Sequence, residues 1–220
     1  MSRLYTVVST VPEIAAHFGA EASPELTVPS ETVEALPGLV VFEKNRRRLM
    51  RQMDWGFPRL TREMRERGDL PGRIGLVADL TNPLWDKLVV QAQYRCLIPL
   101  THFANPNGDP GSKTRSWFTV SDRPLLAWAG FCRNVPDYGP VYAGMTMTAN
   151  AAAVEPYNDR MPVLLEPQDY ARWLGGSIRD VIGFQIRPPI AAARMTVLHS
   201  DDLWRSGDLP AALQPQMALL

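Results

Sequence analysis

Twenty prolines are scattered through the 220 residues of this chain. Proline fixes φ and removes a backbone donor, so it ends helices and is confined to the starts, edges and bulges of strands. At this density the chain builds many short elements joined by turns, and a helical bundle is excluded.

The local patterns agree. Leu4 to Val8 is an apolar, β-branched run that reads as a strand. Thr10-Val-Pro-Glu13 is a capping box in front of a helix carrying Ile14 and Phe18 on one face, with Gly19 as its stop. Residues 20–37 read as loop. Leu39 to Glu43 and Arg48 to Met53 read as two strands around a Lys44-Asn45 turn. Arg59 to Gly72 is a charged loop with a helical turn in Thr61–Arg67, and Pro83 to Tyr94 has helical spacing. Arg95 to Pro99 is a short buried strand, and residues 104–115 (ANPNGDPGSKTR) read as a long loop. Trp117–Val120 and Leu125–Phe131 flank a Ser-Asp-Arg-Pro turn and read as a hairpin, and Val141 to Ala149 is a further strand. Pro167 opens an amphipathic helix through Tyr170, Trp173 and Leu174, ended by Gly175-Gly176, and the tail from Gly207 is weakly patterned. Many short strands with few helices predict an α+β fold, one domain over residues 1–220 with a barrel-like antiparallel β core flanked by short helices.

Several function classes are excluded or constrained. Lys plus Arg equals Asp plus Glu, 23 each, so bulk charge does not draw the chain to nucleic acid, and any DNA contact needs a local patch. The densest basic cluster is Lys44, Arg46, Arg47, Arg48 and Arg51, whose ordinary reading is a solvated hairpin. No apolar run approaches the ~20 residues of a membrane span, and MSRLYTVVST has none of the parts of a signal peptide. Cys96 and Cys132 are too few for a disulfide scaffold or a cysteine zinc site. The expectation is a cytoplasmic protein with reduced thiols and no membrane partner. There is no phosphate-binding glycine loop and no metal-ligand spacing, so no cofactor and no metal is expected. His199-Ser-Asp-Asp202 holds a Ser, a His and acids, but neighbours in sequence do not make a triad, which assembles in space.

Five segments, in order, carry a resemblance. Asp54-Trp-Gly-Phe57, Tyr94-Arg-Cys-Leu-Ile-Pro99, Leu126-Ala-Trp-Ala-Gly130, Met147-Thr-Ala-Asn150 and Asn158-Asp-Arg-Met-Pro-Val-Leu-Leu165 resemble, in register, the motifs of the SOS-response-associated peptidase (SRAP) family. The resemblance covers about residues 1–175. It implies a fold that recognises damaged single-stranded DNA. It also implies chemistry by a cysteine following the initiator Met, whose α-amine attacks the aldehyde of an abasic site and whose thiol closes a stable thiazolidine crosslink. A glutamate and a histidine would handle protons, and an Asn-Ala-Arg segment would help hold sugar and phosphates.

This sequence departs from that pattern at each reactive position. The cysteine position is Ser2, the glutamate position Asn105 and the histidine position Asn158; Asn-Ala-Arg aligns with Leu76-Val-Ala78, and the tryptophan after the glutamate is Pro106. A hydroxyl has a far higher pKa than a thiol and needs an activating base, and an amide carries no proton. Arg160 and Trp55 match family residues, the first suited to a phosphate and the second to stacking on an unpaired base. His102 stands near the emptied site as a possible base, though a structural role suits it better, and His17 reads as a partly packed surface residue.

Three readings follow. The first is an SRAP-like protein that binds damaged or single-stranded DNA without the stable crosslink. The second is active abasic-site processing through the Ser2 α-amine, which forms an imine even without a thiol. The third is an interaction or decoy protein that has lost DNA binding, favoured by the neutral net charge. Ser2, Asn105, Asn158 and Arg160 are expected to converge on one concave surface.

Overall fold

The computed structural model describes residues 4–154, 159–205, 207–210 and 213. In chain order, strand β1 (Leu4–Thr6) leads into helix α1 (Val11–Phe18), then β2 (Ala20–Ala22), β3 (Thr32–Val33), β4 (Pro37–Lys44), β5 (Arg47–Trp55) and β6 (Phe57–Arg59). Helix α2 (Arg62–Arg67) precedes β7 (Gly72–Ile74) and β8 (Leu76–Val77), and α3 (Asp86–Val90) precedes β9 (Arg95–Leu100), β10 (His102–Asn107) and β11 (Thr114–Val120). The long strands β12 (Leu126–Val135) and β13 (Gly139–Thr148) follow, then β14 (Arg160–Pro162), β15 (Leu164–Leu165), α4 (Tyr170–Gly175), α5 (Ile178–Ile186) and β16 (Met195–Leu203).

The larger sheet closes on itself. β13, β12, β9, β4 and β5 pair antiparallel in that order, and β5 returns to β13 through a short parallel seam, Val141 opposite Asp54 and Tyr142 opposite Trp55. The result is the barrel-like core read from the sequence. Four aromatic rings fill it. Trp55 and Trp128 meet edge to face at 5.5 Å, Tyr5 sits 5.2 Å from Trp55, and Tyr142 lies parallel to Trp55. The hydroxyls of Tyr5 and Tyr142 bond at 2.6 Å, and the indole N–H groups of Trp55 and Trp128 donate to the Gly75 and Met145 carbonyls. So much ring volume needs bare backbone opposite. A Cβ on Gly144 would lie 2.0 Å from the Trp128 ring, and one on Gly38 would lie 2.1 Å from the Tyr142 hydroxyl.

A second, wholly antiparallel sheet runs β16-β11-β10-β1-β3. One face sends Tyr5, Phe103, Phe118 and Val197 into the barrel's hydrophobic core. The other carries Leu4, Ala104 and Trp117, covered by Trp204, Leu209 and Leu213. Helix α1 has the capping box expected of it, with the Thr10 N–H donating to Glu13 Oε2 at 2.8 Å, and buries Ile14 and Phe18. Helix α4 buries Trp173, whose indole donates to the Cys96 carbonyl at 2.8 Å. No helix among the described residues is long and apolar enough to cross a membrane.

The structure corrects the sequence reading in four places. Residues 104–115 are not one loop: β10 and β11 claim both ends and pair with each other from Phe103–Phe118 to Asn107–Thr114. The segments Trp117–Val120 and Leu125–Phe131 are not a hairpin: β11 stays in the second sheet while β12 enters the barrel, and Val120–Arg123 is the only bridge across that turn among the described residues. Residues 20–37 contribute β2 and β3. Helix α5 and strand β16 were not anticipated.

Candidate active site

Asn105 is fully buried on β10, and its side-chain amide donates to the Ala153 carbonyl at 3.3 Å. The loop that supplies this carbonyl is built by Asn150. That side chain accepts from the Ala152 and Ala153 N–H groups, both at 3.0 Å, and donates to the Ile190 carbonyl at 2.6 Å. The same loop is tied at its start to the stretch bearing Arg160, through the Ala149 N–H to the Asp159 carbonyl at 2.8 Å. Asn105 and Arg160 thus flank one loop, residues 149–154. Ser2 and Asn158, the other two residues expected here, lie outside the described residues, and so their convergence with Asn105 and Arg160 is open.

Arg160 is partly buried on β14. It holds no carboxylate; its guanidinium donates to the Thr146 carbonyl at 2.9 Å, the Thr146 hydroxyl at 3.0 Å and the Ala78 carbonyl at 3.1 Å. Gln185 from α5 donates to the same two carbonyls. The arginine fork therefore ties β14, β13 and the end of β8 together, and its Nη1 has no partner among the described residues.

Trp55 does not have the exposure that stacking on a base requires. It is 0% exposed at the centre of the barrel, with its N–H bonded to Gly75. The basic cluster on the β4–β5 hairpin is likewise largely committed: Arg47 pairs with Glu21, while Arg48 and Arg51 donate to the Phe18 and Met50 carbonyls at 2.8 Å. Asn45 and Arg46 take the left-handed conformation of a tight turn.

The histidines separate by role. His17 bonds the Tyr170 hydroxyl at 3.0 Å between α1 and α4, and burial, with Arg123 nearby, holds its pKa below the usual value. His102 is pushed down to about 4 by burial and bonds the Thr101 hydroxyl at 2.9 Å. It stands three residues from Asn105 on one strand, and strand side chains alternate, so it faces the opposite side of the sheet. His199 lies across β16 from Ser116 and is bonded to its hydroxyl at 2.9 Å. The relevant serine is thus on another strand, not Ser200 beside it, which bonds Asp202. Cys96 and Cys132 are free and buried, and burial together with the neighbouring Cys132 raises the Cys96 thiol well above its ordinary pKa. No group of three metal-ligating side chains occurs among the described residues.

A cleft of about 660 Å³ opens beside β8, lined by Arg59, Arg67 and Arg73 with Thr61, Ala78 and Asn82. Arg73 donates to the Gly56 carbonyl at 3.1 Å, and Arg67 pairs with Asp69 at 2.9 Å near the surface. Arg59 has no ion pair among the described residues. The sequence reading saw this stretch only as a charged loop. Nothing in its spacing says that α2, β6 and β7 fold three of its arginines around one hollow.

Residues 2–197 match the family described as SOS response associated peptidase (SRAP). The chain belongs to the SRAP family. Solved structures share the fold of this SRAP protein at low sequence identity. A protein from Bordetella bronchiseptica superposes with a TM-score of 0.72 at 20% identity, covering 91% of this chain and 99% of its own. A protein from Bacteroides thetaiotaomicron reaches 0.74 at 16% identity, covering 98% and 100%. A phage-related protein from Bordetella bronchiseptica reaches 0.67 at 14% identity, covering 93% and 98%. No curated protein matches the chain. SRAP membership connects the chain with the DNA-damage response and with DNA as a partner in general terms.

Proposed function

We propose that this SRAP protein binds single-stranded or abasic DNA through the arginine cleft beside β8 and does not form the family's stable crosslink. The observation that carries the binding half is the cleft itself. Three arginines line one hollow next to Leu76–Ala78, the segment that resembles the family's sugar- and phosphate-holding stretch. Guanidinium forks suit phosphate oxygens. Arg160 contributes by fixing the Ala78 end of the wall, with Nη1 left to reach a phosphate. The chemical half rests on Ser2, Asn105 and Asn158: a thiol is replaced by a hydroxyl and two proton carriers by amides.

The test is fluorescence anisotropy with a labelled single-stranded oligonucleotide over a range of salt. Binding should weaken as salt rises, because bound phosphates release counterions. Arg59→Ala and Arg73→Ala should each weaken it and flatten the salt dependence, and Arg160→Ala should weaken it as well. An absence of binding at low salt would transfer the argument to the interaction-protein reading. A second reading concerns residual chemistry. Ser2 as first residue of the mature chain offers an α-amine with an ordinary pKa of about 7.7–8.0, and an imine with an abasic aldehyde needs no thiol. The Ser116–His199 pair beside Asn105 favours it. Denaturing gels should show no adduct on abasic DNA without a reductant and a trapped adduct with borohydride.

A further inference from the structure

Asn105, Ser116 and His199 are directly opposed on three consecutive strands, β10, β11 and β16. They share the face that also carries Phe103, Phe118 and Val197 into the barrel core. Opposed residues in antiparallel strands have Cβ atoms roughly 4.5–5.5 Å apart, so the row reaches from the position where the family carries its glutamate to the outer strand in two steps. Its burial is graded. Asn105 and Ser116 are both 0% exposed, whereas His199 is open to solvent. A buried hydroxyl needs a partner, and Ser116 takes the ring Nδ1 of His199 at 2.9 Å. Packing alone would be met by an alanine at 116. The row instead joins a solvent-facing imidazole, the side chain most used for general acid–base work, to a buried hydroxyl beside an amide that transfers no proton.

We infer that Ser116 and His199 are the acid–base pair of this site, with His199 exchanging protons with water and the Ser116 hydroxyl relaying them next to Asn105. The inference rests on the second reading above, reaction of the Ser2 α-amine with an aldehyde. The amine adds to the aldehyde carbon, forming the C–N bond, and one proton moves from nitrogen to oxygen to give the neutral carbinolamine. The relay then delivers a proton to the carbinolamine hydroxyl, the C–O bond breaks and water leaves. The resulting iminium returns its N–H proton through Ser116 to His199. One water is released and no proton is consumed. The reverse sequence hydrolyses the imine and frees the chain, so the pair serves turnover where the family's crosslink persists.

The experiment uses the full, Met-processed chain with 2-deoxyribose 5-phosphate as a soluble aldehyde, trapped by cyanoborohydride and read by intact mass and peptide mapping. DNA binding is not needed for this readout. The parent should gain one adduct on the Ser2 α-amine. His199→Ala and Ser116→Ala should trap it roughly a hundred-fold more slowly, within the range usual for loss of a proton-transfer group, while keeping the parent's thermal midpoint within a few degrees. Added imidazole should restore His199→Ala, whose missing ring faces solvent, and should leave Ser116→Ala slow. That contrast separates a relay from a merely structural bond. If both variants react at the parent's rate, or if imidazole restores nothing, the relay is overturned and the α-amine reading stands. If the parent itself gives no α-amine adduct, both fall, while DNA binding, measured separately by anisotropy, is untouched.

Discussion

Single side chains in this protein divide by what surrounds them more than by what they are. Trp55 and His102 are the two clearest cases. Trp55 matches a residue able to stack on a base, yet its ring fills the barrel centre between Tyr5, Trp128 and Tyr142. Trp55→Ala should therefore cost about 3–5 kcal/mol of folding stability, as large-to-small core changes do. Chemical denaturation will show it. A fully stable variant with weakened DNA affinity would contradict the core assignment. His102 has its pKa depressed to about 4 by burial, below the unfolded value of about 6.5. The unfolded chain thus binds the extra proton first. The contribution of neutral His102 to stability is complete above about pH 6.5 and is lost as pH falls towards 4. Comparing urea midpoints of the parent and His102→Gln across that window should show the steeper fall in the parent, and parallel curves would count against it.

At the scale of elements, what was legible in the sequence was local and what was missed was long-range. The cap, apolar face and glycine stop of α1 stand within ten consecutive residues, and the structure has all three. Thr10→Ala should accordingly cost about 1 kcal/mol, with faster amide exchange confined to the first turn of α1; exchange that rises throughout the chain would mean that the cap does more than hold its own helix. The strands of the second sheet gave a weaker signal. In residues 104–115 the Pro and Gly residues dominate, and they masked the alternation that puts Phe103 and Asn105 on one side and Ala104 on the other. β16, with a half-exposed pattern and charges at Asp201 and Asp202, carries little hydrophobic period to read. The same gap explains the site. Asn105 and Arg160 were found because motifs name them, whereas Ser116 and His199, and the arginines of the cleft, become neighbours only through strand pairing and loop packing that no local spacing encodes.

For the molecule as a whole, the family's chemistry is spread over segments distant in sequence, so restoring it is a test of whether the scaffold has kept its shape. Ser2→Cys alone should give slow crosslinking to abasic DNA at most, since the amides at 105 and 158 remain. Ser2→Cys with Asn105→Glu and Asn158→His should do better, scored as heat-stable adduct on denaturing gels. A triple variant no faster than the single one would mean that the buried space around Asn105, closed by the Ala153 carbonyl, no longer admits a carboxylate. The barrel seam has a consequence of another kind. β4–β5 and β12–β13 are hairpins that form from nearby residues, but Val141–Asp54 and Tyr142–Trp55 join halves of the chain far apart in sequence. Closing such a loop is entropically costly and comes after the local pairs. Interactions made only after the rate-limiting step govern how fast a protein comes apart, not how fast it assembles. Tyr142→Phe, which removes the 2.6 Å bond to Tyr5 at the seam, should therefore leave the refolding limb of a chevron plot in place and raise the unfolding limb: the barrel is timed to lock last and to open first.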